Sequence, residues 1–315
     1  MEKLLISNTP HVRGGATTRR IMIDVMIALA PATIAGFVFF GLRAVLIVML
    51  SLVTCVASEV VYRLIRKEKI KDIIDTYDFT SSVTGLLLGI NLGSQSPWYT
   101  PVLGGIFAII VVKMLFGGTG KNFVNPAIAG RVFVVISFGG AVASGWLNPS
   151  IGAILPTSGQ VPSLLDMFLG TGMLGCIGET SKLALIIGGV YLVIRKVIKW
   201  QYPVIYIVLT GLMTALLKLD FSLFLPSILS GGLLVGAIFM ATDYVTTPNT
   251  KLGNYIYFAL LGILTGVFRV ISSGGTVSYC ILLMNLTVPL IDRFIVPKPF
   301  GYEKPVKAKG EKANG

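Results

Sequence analysis

Apolar residues run along nearly the whole chain in blocks of roughly 20, the length a helix needs to cross a hydrocarbon core about 30 Å thick. The connections between blocks are short and rich in Gly, Pro, Lys and Arg. Spans are predicted near residues 21–42, 44–65, 79–96, 100–116, 126–147, 181–198, 203–219, 224–241, 255–272 and 276–296, about ten in all. The third and eighth are glycine-rich and interrupted by polar residues. They are expected to be broken or re-entrant, which a bilayer tolerates only where the freed backbone is buried in protein. Three stretches fall outside this pattern: a polar N-terminal segment (1–20), a long connection (148–180) expected to be a loop or surface segment, and a Lys- and Gly-rich tail (298–315) expected to be disordered.

Charge tests the count independently. If both ends of the chain lie on one side, Lys and Arg should alternate between rich and poor loops. The rich set is Lys3, Arg13, Arg19 and Arg20; Arg63, Arg66, Lys67, Lys69 and Lys71; Lys121; Arg195, Lys196 and Lys199; Lys251; and Arg293 with the five lysines after it. The opposite side receives Arg43, Lys182, Lys218 and Arg269, while Lys113 and Arg131 lie within or at the ends of spans. Twenty of the 26 basic residues therefore fall on one side, predicting a multi-pass protein of the cell membrane with both termini cytoplasmic and 148–180 outside.

The chain also resembles itself. Gly105-Ile106 and Gly262-Ile263 are each followed, fourteen residues after the glycine, by the threonine of a Gly-Gly-Thr, Thr119 and Thr276. Gly85-Leu-Leu-Leu-Gly89 matches Gly232-Leu-Leu-Val-Gly236, and Asn125-Pro126 has a loose counterpart in Asn285 with Pro289. Five helices per half is an odd number, so the second half must be inverted relative to the first. The expected fold is an all-α integral membrane protein of about ten transmembrane helices in two inverted five-helix repeats, 21–147 and 181–297. Such repeats place a site at their interface near mid-membrane.

Composition agrees: 54% of residues are hydrophobic, 13% are charged, and mean hydropathy is +0.83. A large soluble domain is excluded. The net charge of +12 sits in loop clusters that read as orientation signal, so no nucleic-acid partner is implied; the chain's surroundings are membrane lipid. Cys55, Cys176 and Cys280 are far apart, and His11 is the one histidine, which argues against a metal or iron–sulfur site within the chain and excludes a Ser/His/Asp set. No cleavable leader is expected, because the first residues are polar and the apolar run after them is long enough to span. There is no Gly-x-Gly-x-x-Gly after a strand and no Walker loop.

Candidate chemistry rests on polar residues placed where hydrocarbon should be. Asp24, Glu59, Lys113, Arg131, Asp243, Arg269 and Asp292 lie in or at the edges of spans; packing pairs, snorkelling and a role in ion passage are all open readings. Asn125-Pro126 opens a span directly after a glycine turn, a start that suits either a bound polar ligand or simple capping. Asn285, mid-span, cannot be a cap, so its amide needs another helix or a cofactor ring edge.

Four ordered blocks then become specific: Gly117-Gly118-Thr119-Gly120-Lys121-Asn122-Phe123-Val124-Asn125-Pro126-Ala127, Gly175-Cys176-Ile177-Gly178-Glu179-Thr180, Gly236-Ala237-Ile238-Phe239-Met240-Ala241-Thr242-Asp243-Tyr244, and Ile281-Leu282-Leu283-Met284-Asn285 with Pro289-Leu290-Ile291-Asp292. From about His11 to Gly301 the chain resembles the RnfD family, the large membrane subunit of the Rnf ion-translocating ferredoxin:NAD oxidoreductase, and is similar to NqrB of the sodium-pumping quinone reductase.

The resemblance implies a flavin-carrying subunit of a redox-driven translocase, not catalytic alone, working with subunits A, B, C, E and G and pumping sodium ions or protons. It implies FMN joined by a phosphoester to a threonine hydroxyl on the non-cytoplasmic side, with a riboflavin or other second flavin possible between the halves, where Asn125 and Asn285 are the cofactor-binding candidates. The family's attachment sequence, Ser-Gly-Ala-Thr followed by Pro, is absent in that form. Thr157, in Leu155-Pro156-Thr157-Ser158-Gly159, is the nearest candidate for covalent FMN, keeping both a hydroxyl and the downstream Pro162-Ser163-Leu164-Leu165-Asp166-Met167-Phe168 in place. An alignment of Ser158 to Pro162 on the motif would instead put Val161 at the acceptor. The same architecture also suits a small-solute transporter or channel, as in urea transporters.

Overall fold

A computed structural model describes residues 17–143, 163–170, 175–272 and 275–296. Thr157 and the tail 298–315 lie outside the described residues. The protein is all-helical among the described residues, apart from one isolated antiparallel bridge between Gly93 and Cys176.

In the first half, α1 (Thr18–Phe40) and α2 (Leu42–Ile65) are followed by a short α3 (Ile70–Asp75) and by α4 (Thr80–Ile90). Next come α5 (Tyr99–Ile106), which continues as a π-helix over Phe107–Met114, α6 (Pro126–Ser137) and the short α7 (Gly139–Ala143). A short α8 (Leu164–Leu169) precedes the second half. That half contains α9 (Lys182–Ile194), α10 (Gln201–Lys218), α11 (Phe224–Leu229), α12 (Leu233–Val235, continuing as a π-helix over Gly236–Met240), α13 (Lys251–Ile271) and α14 (Thr276–Phe294). Five of these, α1, α2, α10, α13 and α14, are long and apolar enough to cross a membrane alone. The eighth predicted span is a broken one: Phe221–Leu229 and Leu233–Met240 meet at 67°.

Side-chain contacts give the direction of each helix. Asp24, early in α1, accepts from the Tyr191 hydroxyl at 3.0 Å and from Arg195 Nη2 at 3.1 Å at the end of α9. Further along, a Cβ at Gly188 would be driven into the Ala28 carbonyl, so α1 and α9 cross antiparallel with backbones in contact. The last helices of the halves repeat the relation: Asn125 meets Asn285 and Arg131 meets Ser278, so α6 and α14 are also antiparallel. Within each half the second and fourth helices run parallel, with Glu59 to Lys113 joining α2 to α5 and Gln201 to Tyr255 and Tyr206 to Thr265 joining α10 to α13. Antiparallel contacts between like helices, with the same internal pairing in each half, are what inverted repeats require.

Small residues allow this packing where apolar side chains alone give no preference over lipid. A Cβ at Gly85 would stand 2.7 Å from Leu52 Cα and one at Gly89 2.9 Å from Val48 Cα, so the Gly-xxx-Gly stripe of α4 lies directly on α2. Gly262 and Gly266 do the same for α13 on α10, against Leu209 and Met213.

The third predicted span is interrupted, as expected: α4 ends at Ile90, and Asn91 to Ser94 stay buried as irregular chain. Of the two readings of 148–180, loop or surface segment, its described end is irregular chain that is buried from Cys176 to Thr180. The two features fit each other. Ile177 N donates to Leu92 O at 3.1 Å and Gly178 N to Ile90 O at 2.8 Å, so the inserted segment answers carbonyls that α4 frees at its C-terminus.

Candidate functional site at the interface of the two halves

Asn125 is the N-cap of α6. Its Oδ1 accepts from Ala127 N at 3.0 Å and Ile128 N at 3.4 Å, with Pro126 at the first helical position where no amide hydrogen is missed. Its Nδ2 donates to Met240 O at 3.2 Å, at the end of the π-helical turn that follows α12. Asn285 comes from α14 of the other half. With its amide oriented by the surrounding network, its oxygen accepts from Asn125 N at 3.1 Å, and its nitrogen donates to Thr246 O at 3.3 Å, Ile281 O at 3.2 Å and the Tyr257 hydroxyl at 2.8 Å. Two candidates 160 positions apart in the sequence are thus direct neighbours. Their amide groups are engaged by protein partners, so a ring edge at this point would have to displace one of them.

Nearly two turns further into α6, Arg131 ties four segments together. Its Nη1 donates to Asn91 Oδ1 at 2.9 Å, after α4, and to Ser278 Oγ at 3.1 Å, on α14. Its Nη2 donates to Cys176 Sγ at 3.4 Å, and Glu179 Oε1 stands 3.5 Å from Nη1. Asn91 in turn donates to Leu87 O at 2.7 Å and approaches the Met240 sulfur at 3.7 Å, which joins this group to the asparagine pair. Arg131 and Glu179 are 6% and 7% exposed, so this is a buried ion pair inside a hydrogen-bonded network.

A second polar group lies within the first half. Lys113, in the π-helical part after α5, donates to Glu59 Oε2 at 2.9 Å and to the Thr80 hydroxyl. The Thr80 hydroxyl donates to Asp78 Oδ1 at 2.6 Å and the Thr119 hydroxyl to Asp78 Oδ2 at 2.8 Å. Burial alone would raise the Asp78 carboxyl, but the hydroxyl and amide of Thr80, the Lys113 charge and Thr119 outweigh it and hold it below its ordinary 3.8.

The other charged candidates also have partners: Asp24 pairs with Arg195, and Asp292 accepts from Asn249 N at 3.0 Å and Asn249 Nδ2 at 2.8 Å. Cys55, Cys176 and Cys280 are separate, buried free thiols. Sequence reasoning does not single out Asn91, Tyr257 or Ser278, and gives Cys176 no partner. Glu179 carried a usable signal, since a carboxylate within a Gly-Cys-Ile-Gly block needs a buried partner.

The model of the NQR2, RnfD, RnfE family matches residues 5–301. The chain is 40% identical to the D subunit of the Na(+)-translocating ferredoxin:NAD(+) oxidoreductase complex of Acetobacterium woodii, over 96% of each chain. It is 35% identical to the D subunit of the proton-translocating ferredoxin:NAD(+) oxidoreductase complex of Clostridium ljungdahlii, over 94% of this chain and 96% of the relative. Identity to the D subunit of the ion-translocating oxidoreductase complex of Salmonella paratyphi A is 33%, over 95% and 99%. A match over almost the full length establishes that the chain belongs to the NQR2, RnfD, RnfE family.

Proposed function

We propose that this protein is the RnfD-type membrane component of an ion-translocating ferredoxin:NAD+ oxidoreductase complex of the cell membrane, carrying FMN on the Thr157 hydroxyl and working with the other Rnf subunits, A, B, C, E and G. The observation that carries the reading is end-to-end similarity to the D subunits of such complexes. The basic ends of α1, α2, α9 and α14 support a cytoplasmic location for both termini, with Thr157 on the opposite side. When bound, a flavin exchanges one or two electrons, and its protein surroundings set its potential and position.

The chain's own residues supply position. Arg131 and the carbonyls of Ile90 and Leu92 hold residues 176–179 between the halves. Lys113 and Glu59 hold α2 against the π-helical continuation of α5 without any part of the interface.

The test is a deletion strain complemented with the wild-type chain. Membrane vesicles from the deletion should lose NAD+ reduction by reduced ferredoxin together with the coupled uptake of sodium ions or protons, and complementation should restore both. Unchanged activity in the deletion, or solute uptake by the purified chain alone in liposomes, would refute the assignment.

A further inference from the structure

Five basic residues fall within nine positions where α2 ends and α3 begins, Arg63, Arg66, Lys67, Lys69 and Lys71, and large apolar side chains stand exposed among them. The outward face of α2 presents Leu42, Leu46, Val53 and Val61 at helical spacings, the stripe that meets lipid tails, and it runs on into Ile65, 74% exposed. At 24 residues α2 is about 36 Å long, against a hydrocarbon core of about 30 Å, so this stripe reaches the headgroup level.

The chain then turns sharply. Lys67 N donates to Leu64 O at 2.8 Å and Glu68 N to Arg63 O at 3.1 Å, closing α2 with Lys67 in the left-handed region, φ 62°, where glycine is the relaxed choice. A cation is kept there against backbone preference. Arg63 turns inward and straps the turn: its Nε donates to Glu68 Oε2 at 2.7 Å and its Nη2 to Thr76 Oγ1 at 2.6 Å. This holds α3 with Ile73 buried and with Ile70 and Ile74, four positions apart on one flank, 65% and 66% exposed. Lys71, Asp72 and Asp75 are exposed on the rest of its circumference. One short helix thus has a side for protein, a side for apolar surroundings and a side for water.

We propose that the end of α2 and α3 form an interfacial anchor, with Ile65, Ile70 and Ile74 at the boundary between acyl chains and headgroups and with Arg66, Lys67, Lys69 and Lys71 holding the phosphates of anionic phospholipids. Two observations select lipid over a protein partner. The isoleucines continue the lipid-facing stripe of α2, and the four exposed cations sit beside them, outnumbering Asp72 and Asp75. A protein covering the same isoleucines would bury those cations at a desolvation cost, whereas headgroups meet them in water. The binding depends neither on a flavin nor on which leaflet faces the cytoplasm, so it stands or falls apart from the proposed function.

The test uses the assembled complex in its own membranes, with the photo-crosslinker p-benzoyl-phenylalanine placed at Ile74 and, as the water-facing control, at Asp72. After irradiation, peptide mass spectrometry should find phospholipid joined to the Ile74 probe and little on the Asp72 probe, with anionic headgroups enriched over their share of the bulk membrane. Lys69→Gln with Lys71→Gln should lower that enrichment on the order of fivefold, the scale of one basic residue beside an anionic surface, and Lys69→Arg with Lys71→Arg should keep it. Capture of another subunit at Ile74, equal capture at both positions, or headgroups in bulk proportion would overturn the inference, as would enrichment that survives the loss of both lysines. Should the probe-bearing chain fail to assemble, hydrogen exchange of the wild-type complex in nanodiscs decides. Amides of residues 66–76 must then exchange more slowly in discs containing phosphatidylglycerol than in pure phosphatidylcholine; equal rates overturn it too.

Discussion

Replacing Arg131 with Met removes the hub of the interface while keeping most of its volume. The change leaves Glu179 buried without its guanidinium and deprives Asn91 Oδ1 of a donor at 2.9 Å. Breaking a buried ion pair by removing one partner costs about 3–5 kcal/mol. For a chain of this size each kcal/mol lowers the melting temperature by roughly 2–4 °C, so the expected loss is on the order of 10 °C. Glu179→Gln should cost a similar amount, because it strips the buried Arg131 guanidinium of its carboxylate. The double variant should recover part of the Arg131→Met loss attributable to the pair, yet fall short of wild type because Asn91 Oδ1 and Ser278 Oγ still lack their donor. The assay is thermal unfolding of the purified protein in one detergent at one scan rate, followed by fluorescence-detected size exclusion. A melting temperature within about 2 °C of wild type for Arg131→Met, or strict additivity of the two single losses, would refute the account of the interface.

The antiparallel crossing of α1 on α9 makes Gly188→Ala disruptive, since its Cβ must displace the Ala28 backbone; the yield of monodisperse protein should fall sharply, while the same change at Gly140, which faces open space, should leave it unaltered. Lys113→Met should cost about 3–5 kcal/mol by stranding Glu59, and adding Glu59→Gln should return most of it; an unchanged double variant would show that the pair is not coupled. Asp78 has a depressed carboxyl in the folded state, so its contribution is present above its ordinary 3.8 and is lost as pH falls through the lower folded value. Asp78→Asn should therefore reduce stability at neutral pH and flatten the acid limb of the stability profile, as measured by unfolding temperature against pH.

The long spans were legible because hydrophobic length alone decides them: α1, α2, α10, α13 and α14 end within a few residues of the apolar runs. Inversion was legible from the odd number of spans per half and the repeated Gly-Gly-Thr, and the Ala28–Gly188 and Asn125–Asn285 contacts have its form. The early end of α4 was not, because it depends on pairing with Ile177 and Gly178, more than eighty positions away, which no local propensity encodes. Asn285 advertised a need for a partner but not its identity; Asn125 supplies it from a helix that only the fold brings near. The pairing of Lys113 with Glu59 depends on a π-helical turn, whose altered register hydropathy does not reveal.

The central claim is that this membrane protein carries its own electron carrier on the outer connection between the halves. Peptide mass spectrometry of the native complex, digested so that residues 148–180 are recovered, tests it most directly. The account expects one FMN phosphodiester on Thr157, absent from Thr157→Ala protein that still assembles. Recovery of that stretch wholly unmodified from active complex would contradict it.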